Sequence, residues 1–370
     1  MPDSELRALL FLDRIEGIGL AGARLLYSQF GSASEILRHL KEIKDIIPGA
    51  EQGLNKALND SGYDVSVSNE LEFIRKHDIR CVTIGDDDYP SRLLDCNDAP
   101  LFLFSMGNVN LNAKRIVGVV GTRKATGYGL RMCRTFVSEL GQLCPDAVII
   151  SGLASGIDVE AHRQAIASGM STYGVLAHGL DRIYPAANRD TACGMLQKGG
   201  LITEFQTGTV PIKSNFVRRN RIIAGLSDAV VVVESAAKGG SLLTAEMAES
   251  YNRECFAFPG SVGDPYSVGC NELIRDNRAG LICSALDFVT AMGWDSVGRS
   301  CNPIDKQSYP QLTELEAKVL GRIMQKAHGV HINTLIVELN VPYQKLVTVM
   351  FSLEMKRLAM MTAGSVCRLI

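Results

Sequence analysis

The chain has 370 residues, a length that predicts two or three domains at a typical domain size of about 150 residues. Hydrophobic residues make up 46% and charged residues 21% of the sequence, so the chain can bury a large core and is not a disordered polymer. With 38 Lys and Arg against 40 Asp and Glu, the formal net charge of −2 excludes a wholly basic, histone-like nucleic-acid binder but allows a local basic face.

Residues 1–64 have leucines and isoleucines at mixed three- and four-residue steps, which predicts helices. The first residues lack the cleavage site of a signal peptide, and no apolar run approaches the about 18 residues of a membrane span. The turn Gly17-Ile18-Gly19 is typical of a helix-hairpin-helix, whose backbone N–H groups hold a DNA phosphate, or of a plain tight turn between helices. Few basic residues lie near it, and both interpretations stay open.

Residues 65–114 predict a helix, a short strand, a loop and a second short strand. The three acids Asp86, Asp87 and Asp88 in the loop indicate a solvated turn rather than a metal site. The ten cysteines form no CxxC pair, and most lie in apolar runs, as Cys255 and Cys283 do. This usage predicts reduced, buried thiols in a cytoplasmic protein and no metal ligands.

From about residue 115 to 292 the pattern changes to short apolar runs separated by helical stretches. Such alternation predicts βαβ units and a Rossmann-like parallel sheet of about seven strands with both faces covered. The runs are residues 116–120, 147–152, 172–177, 201–205, 229–234, 255–260 and 280–284.

Residues 295–311 are polar, contain two prolines and predict a linker. Residues 312–370 predict three helices, the first starting at a capping box of Thr313 and Glu316, and a small hairpin around Ala363-Gly364. Three helices and a hairpin make a winged helix, which binds DNA or docks a protein. The segment between its second and third helices has only Lys345 as a base, which favours docking or a structural use.

Glycines and hydroxyl residues follow the first two strands, where parallel strands gather their functional loops. Small residues before a helix let the backbone approach an anion, so both loops predict phosphate binding, but neither fits GxGxxG, and no dinucleotide cofactor is expected. Asp158 and His162 are predicted as a helix cap and a helix-face histidine rather than an acid–base pair. The loop residues are Gly121, Thr122, Arg123 and Lys124 after the first strand and Ser151, Gly152, Ser155 and Gly156 after the second.

The most basic stretch precedes the fifth strand, and a further glycine-rich loop follows that strand. Four bases within nine residues, with an aromatic ring among them, predict a surface that tracks a phosphate backbone and stacks bases. A solvated helix start with the phenylalanine in the core is the alternative. The residues are Lys213, Phe216, Arg218, Arg219, Asn220 and Arg221 in the basic stretch and Lys238, Gly239, Gly240, Ser241 and Thr244 in the loop.

Motifs of the common enzyme classes are missing from the sequence. It contains neither a GxSxG elbow nor a GxxxxGK[ST] loop, and no cysteine motif marks a nucleophile. We therefore predict no catalytic residue and no cofactor, and we expect binding without turnover.

Six stretches in this order resemble the DprA/Smf family of bacterial DNA-processing proteins. The resemblance implies an α/β fold in which a helical SAM-like domain (1–64), an extended Rossmann-like domain (65–294), a linker (295–311) and a winged-helix domain (312–370) follow one another. It also implies a cytoplasmic, dimeric protein, joined through the Rossmann region, that binds and protects single-stranded DNA and loads the RecA recombinase during natural transformation. The stretches are VGVVGTRKATGYG, SGLASGIDVEAH, GLDRIYPAAN, FVRRNRIIAGLS, GGSLLTAEMA and FPGSVGDPYSVGCNELI.

The resemblance also implies a strand-binding pocket and shows one departure. Where many members have Gly-Cys-Gly-Leu-Asp, this chain has Ala177-His178-Gly179-Leu180-Asp181, so His178 either contacts DNA or fills the loop. An alternative resemblance, to LOG-type nucleotide phosphoribohydrolases, uses Arg221 and Glu246 but departs from their PGGxGTxxE motif. The implied pocket consists of Arg123, Lys213, Phe216, Arg219, Asn220 and Arg221, with Gly239, Gly240 and Ser241 on its floor.

Overall fold

The computed structural model describes residues 3–13, 15–47, 49–59, 63–294, 312–324, 330–356, 358–362 and 366–369. The chain divides into two compact units, Met1–Asp295 and Ser296–Ile370. The predicted linker and the hairpin turn at Ala363-Gly364 lie outside the described residues.

The N-terminal residues are helical, as the leucine spacing predicts. The helices bury an apolar core that also includes Leu101, Phe102 and Phe104 of the adjoining sheet edge. Gly17 has φ +95°, and a Cβ there would lie 2.9 Å from the Gly49 carbonyl oxygen, so the turn before the second helix packs internally. The helices are α1 (Asp3–Leu12), α2 (Gly19–Phe30), α3 (Ala33–Arg38), α4 (Leu40–Ile46), α5 (Ala50–Leu58) and α6 (Tyr63–Lys76).

The two predicted short strands are β1 (Arg80–Thr83) and β2 (Phe102–Gly107), with a short helix α7 (Ser91–Leu94) between them. The acidic run between them is a turn, as expected. Asp86 accepts a hydrogen bond from the Thr83 backbone N–H at 2.8 Å, and Asp88 pairs with Arg80 at 2.6 Å.

Strands and helices then alternate through the rest of the first unit. The strands are β3 (Arg115–Val120), β4 (Ala147–Ser151), β5 (Ser171–Val175), β6 (Gly200–Thr203), β7 (Ala229–Val232), β8 (Glu254–Ala257) and β9 (Gly280–Leu281). The helices are α8 (Gly127–Leu143), α9 (Ile157–Ala167), α10 (Arg189–Met195), α11 (Lys213–Leu226), α12 (Gly240–Ser250), α13 (Val268–Arg275) and α14 (Ala285–Ala291).

All nine strands form one sheet in the order β1-β2-β6-β5-β4-β3-β7-β8-β9. The seven predicted strands are parallel to one another, while β1 and β2 extend the β6 edge in antiparallel pairing. Both faces are covered: Ile116 and Val120 of β3 enter one core, and Val117 and Val119 enter the other. The chain runs from β3 outward to β6 and then returns to β7 on the other side of β3. A topological switch point therefore lies between β3 and β7.

The described residues of the second unit form three helices and a three-stranded antiparallel sheet ordered β10-β12-β11. The predicted capping box is present, because the Thr313 N–H donates to Glu316 and the Glu316 N–H donates back to Thr313 Oγ1. The elements are α15 (Glu314–Met324), β10 (Val330–His331), α16 (Ile332–Leu339), α17 (Tyr343–Met355), β11 (Ala359–Thr362) and β12 (Val366–Leu369).

Nine cysteines fall in the described part of the chain, and all nine are free thiols. Six are buried, as predicted, and burial raises the pKa of Cys255 and Cys270 to about 12. Cys283 is exposed, contrary to expectation, because it follows the two-residue edge strand β9 rather than a buried strand. Among the described helices, none is long and apolar enough to cross a membrane.

Candidate functional site

A cleft of about 790 Å³ opens at the switch point between β3 and β7. Its walls are the loops after these two strands and the first turns of α11 and α12. Two backbone hydrogen bonds continue the pairing of the strands into the loops: Val233 N–H donates to Val120 at 3.0 Å, and Thr122 N–H donates to Glu234 at 2.7 Å. The sheet therefore fixes both loops side by side.

Phe216 lies in the cleft wall with its ring half-buried rather than in the core. The Arg123 guanidinium lies 4.7 Å from the ring centroid, and that of Arg219 lies 5.9 Å from it. The Tyr184 ring is 5.9 Å away on a neighbouring loop. An accessible ring with cations around it can stack a flat base while the cations meet its phosphates.

Three exposed cations line the same cleft as this ring: Arg123, Lys213 and Lys238. None of the three has a carboxylate within 4.0 Å among the residues that the structure describes. The two acids in the cleft lining are Asp158, which is buried beside Arg219, and Glu246, which lies 3.6 Å from Arg278. The unpaired charge in the cleft is thus positive.

Arg219 forms the buried floor of the cleft. Its guanidinium donates to the backbone carbonyls of Gly152, at 2.6 Å, and Val175. Burial lowers the pKa of Arg219 to about 10, although the charge of Asp158 opposes this shift. Burial likewise raises the pKa of Asp158, against the effects of Arg219 and of hydrogen bonds from the backbone of Gly152 and Ala154. A Cβ at position 152 would lie 2.3 Å from this guanidinium, so the position requires glycine.

Glu234, at the end of β7, holds the loop that contains Arg123. The buried carboxylate accepts hydrogen bonds from the N–H of Thr126 at 2.8 Å and from its hydroxyl. Thr126 is also the N-cap of α8 and accepts the Gly129 N–H at 3.2 Å. A Cβ on Gly129 would lie 2.4 Å from the Glu234 carboxylate. These contacts fix the loop in place and do not involve the side chains of Arg123 and Lys124.

The loop after β7 forms the opposite wall and leads into α12. Ser241 Oγ donates to Ser235 Oγ at 2.8 Å, and a Cβ on Gly239 would lie 2.3 Å from the same oxygen. Asn220 Nδ2 reaches the Gly240 carbonyl at 3.4 Å and links α11 to this wall. Small residues at the N-terminus of α12 leave its backbone N–H groups open to an anion.

Twelve of the nineteen residues predicted from the sequence meet in the cleft. The other seven do not line it: Lys124 and Ser155 are exposed outside it, and Ser151 is buried with its hydroxyl on the Val119 carbonyl at 2.6 Å. Gly152 and Gly156 support the floor and the Arg123 loop. The lining residues are Gly121, Thr122, Arg123, Lys213, Phe216, Arg219, Asn220, Lys238, Gly239, Gly240, Ser241 and Thr244.

Arg218 and Arg221 point away from the cleft, unlike their neighbours on α11. Both pair with Glu204, Arg218 at 2.9 Å, and Arg221 also donates to the Asp98 carbonyl. Burial raises the pKa of Glu204, against the two arginine charges. The expectation that Arg221 lines the pocket therefore does not match its position, because helical periodicity turns it onto the inner face. The phosphoribohydrolase alternative needs Arg221 and Glu246 in one site, and only Glu246 lines the cleft.

The two histidines near the site are structural. His162 is buried, with Nδ1 2.7 Å from Thr172 Oγ1, and burial lowers its pKa to about 3. Asp158 does not cap α9, because its carboxylate instead accepts hydrogen bonds from the backbone of Gly152 and Ala154 in the preceding loop. His178 is buried inside its own loop and does not line the cleft. In the described ranges, no group of His, Cys, Asp or Glu could hold a metal ion.

Sequence reasoning missed Glu234 and Tyr184. Glu234 ends a predicted buried strand, where a carboxylate is unusual and could have indicated a loop anchor. Tyr184 had no such signal, because only the fold brings it to Phe216.

Fold and site together define an α/β protein with a basic cleft at the switch point of a mostly parallel sheet. The family model described as "DNA recombination-mediator protein A" matches residues 80–293. The chain belongs to this family.

Two curated relatives show the extent of the similarity. The DNA processing protein DprA of Bacillus subtilis is 41% identical over 220 residues, which cover 59% of this chain and 73% of the relative. Protein Smf of Synechocystis sp. is 32% identical over 301 residues, which cover 79% of this chain and 74% of the relative.

Two solved structures are similar throughout their length. The X-ray structure of DprA from Streptococcus pneumoniae matches with a TM-score of 0.67 and 32% identity, over 79% of this chain and 98% of that one. DprA from Helicobacter pylori matches with a TM-score of 0.53 and 29% identity, over 59% of this chain and 96% of that one. The description of the latter attributes a single-stranded DNA binding mode to it.

Proposed function

We propose that the cleft binds single-stranded DNA without sequence preference and that the protein acts in the cytoplasm by holding the strand rather than by catalysis. The observation that carries this proposal is the accessible Phe216 ring beneath Arg123, in a cleft lined also by Lys213 and Lys238, neither of which has a carboxylate within 4.0 Å in the described part of the chain. The single-strand binding attributed to the H. pylori relative supports it. Aromatic stacking tolerates any base, and the cations contact the phosphate backbone, which every strand has.

The test is fluorescence anisotropy with labelled oligo-dT at several salt concentrations. If Z phosphates are neutralised, log K should fall against log salt with a slope of about −0.7Z. Arg123→Ala and Lys213→Ala should weaken binding and make the slope shallower. Lys114→Ala is the matched control, since Lys114 is exposed just before β3, at the opposite end of that strand from the cleft. A flat salt response, or equal binding by all variants, would overturn the proposal.

We further propose a homodimer through the Rossmann-like region that protects incoming DNA and loads RecA during natural transformation, as the family resemblance implies. The free edge at β9 supports the dimer, because Leu281 and Leu286 are each more than half exposed beside it. Leu281→Asp with Leu286→Asp should give monomers in light scattering. RecA loading is tested by RecA-dependent ATP hydrolysis on a strand already coated with single-strand-binding protein.

We also propose that the second unit is a winged helix used for docking, and that residues 1–64 form a SAM-like domain. The three helices and three strands of the second unit support the first assignment. On α17, Phe351 and Met355 are exposed and Lys345 is the single base, a surface suited to protein contact rather than phosphate. Removal of residues 312–370 should leave oligo-dT affinity unchanged, and a large loss of affinity would contradict this assignment.

A further inference from the structure

The loop of residues 178–188 lies beside the cleft and is fixed by buried hydrogen bonds. Thr203 Oγ1 donates to the His178 carbonyl at 2.8 Å, and Asn188 Nδ2 donates to the Leu153 carbonyl at 2.9 Å. The His178 ring is buried, with Nδ1 2.8 Å from the Gly179 carbonyl and Nε2 accepting the Tyr184 N–H at 3.2 Å. A carbonyl only accepts, so Nδ1 bears the proton and Nε2 is the acceptor. His178 thereby fixes the backbone of Tyr184.

Tyr184 extends the aromatic surface of the cleft. The residue is 47% exposed, and its ring lies 5.9 Å from the Phe216 ring, tilted by 55°. Tyr184 does not line the cleft itself. A base stacked on it would therefore follow the base on Phe216 along the strand, outside the first site.

The same loop lines a second pocket of about 250 Å³. Its walls are largely apolar and come from Met106, Leu180, Ile183, Leu196 and Leu201. Such walls accept the flat face of a nucleobase.

The polar residues of this second pocket favour an anionic ligand. Asp181 and Arg182 neutralise each other, with their charged atoms 2.8 Å apart. Arg189 is exposed, and within the described residues no carboxylate lies within 4.0 Å of it. An apolar pocket with one free guanidinium matches a nucleotide, whose base is flat and whose phosphate is charged.

We propose that the second pocket is a further nucleotide subsite for the same single strand. Tyr184 stacks the base that leads to it, Arg189 meets a phosphate there, and His178 is the positioning residue that holds Tyr184. This inference rests on the proposed single-strand binding at the cleft. It predicts that strands long enough to pass Tyr184 bind through contacts that short strands cannot make.

The first test compares oligo-dT strands from about 4 to about 16 nucleotides, the usual range of single-strand sites. Arg189→Ala and Tyr184→Ala should match the wild type on the shortest bound strands and lose about 5-fold or more on the longest. Arg189→Ala should also make the salt slope shallower by about 0.7 on long strands only, and Lys114→Ala should change nothing. Equal affinities at every length, or equal losses at every length, would overturn the subsite. Absence of wild-type binding at any length would instead overturn the proposed function.

The second test uses Cys193, an exposed thiol in the lining of the second pocket. A saturating long strand should slow its alkylation by N-ethylmaleimide, followed by mass spectrometry, whereas a strand that fills only the cleft should not. The short strand, which leaves the second pocket empty, is the internal control. Unchanged alkylation of Cys193 under a bound long strand would overturn the subsite.

The role of His178 is tested by a double-mutant cycle with Tyr184 on the long strand. His178→Ala should weaken long-strand binding, and adding it to Tyr184→Ala should cost nothing more, because both remove the same contact. Short-strand affinity should stay unchanged throughout. Additive losses would show that His178 does not act through Tyr184.

Discussion

The two faces of α11 place their side chains in opposite environments. Lys213, Phe216 and Asn220, spaced by three and four residues, line the open cleft. Arg218 and Arg221, also three residues apart, turn inward to Glu204. On the outer face, no carboxylate of the described residues lies within 4.0 Å of Lys213, so its charge is available to a ligand. On the inner face a buried carboxylate neutralises it.

This difference shows that basic residues in one sequence cluster can have different roles. The structural partner of each residue must be known before the cluster is assigned a function. A guanidinium that neutralises a buried carboxylate cannot turn to a phosphate without leaving that carboxylate unpaired. Arg221 therefore contributes to stability, whereas Arg123, from another loop, lies beside Phe216 in the cleft.

The largest expected effect is on the inner face. Arg221→Ala should lower the free energy of unfolding by about 3–5 kcal/mol, because it leaves Glu204 buried with less compensation. Trp294 is the only tryptophan in the sequence and packs on Phe288 in the first unit, so its fluorescence in a urea titration reports unfolding of that unit.

Arg123→Ala is the control for this experiment, since Arg123 is exposed and should change stability by no more than about 0.5 kcal/mol. A stable Arg221→Ala protein that loses only DNA affinity would break the comparison between the two faces.

The next effect is on the outer face. Phe216→Ala should cost about 1–3 kcal/mol of binding free energy to oligo-dT, the range measured for a lost base stack. Its salt slope should stay close to that of the wild type, because no charge is removed. Val217→Ala, also in the cleft wall, is the matched apolar control. If Phe216→Ala and Val217→Ala bind alike, the ring has no stacking role.

The same comparison shows which parts of the fold and of the site could be predicted from the sequence. Most of the parallel strands could be predicted because each is a largely apolar run, such as Ala229–Val232, that is buried on both faces. The antiparallel pairing of β1 and β2 to the β6 edge could not, because it depends on contacts distant in the chain. Whether an arginine of α11 pairs with Glu204 or lies near Phe216 depends on distances that only the fold determines.

Arg219 lies between the two faces and links the site to pH. Its charge adds to burial in lowering the pKa of His162 to about 3. The unfolded chain binds a proton at this histidine below pH about 6.5 while the folded chain does not, so stability should fall as the pH drops from 6.5 towards 3. The slope contributed by His162 approaches at most about 1.4 kcal/mol per pH unit.

Urea titrations between pH 7 and 5.5 measure this dependence before most carboxylates titrate. His162→Gln should flatten the curve in that interval. His178, whose pKa burial also lowers, has the same sign, so His178→Gln serves as the comparison and should remove only its own part. A His162→Gln curve parallel to that of the wild type would show that His162 binds protons equally in the folded and unfolded chains.

The smallest expected effect is that of removing Lys238, a cation in the cleft, compared with Lys114, an exposed cation outside it. Lys238→Ala should weaken oligo-dT binding slightly and to the same extent for every base composition, with a salt slope shallower by about 0.7 if Lys238 neutralises one phosphate. Lys114→Ala removes an exposed charge at the end of β3 away from the cleft and should leave the slope unchanged. Because both variants alter the net charge equally, a change confined to Lys238 can only come from its position at the cleft. Equal small changes in both would mean that the protein attracts DNA through its overall charge, and the outer face of α11 would then have no special role.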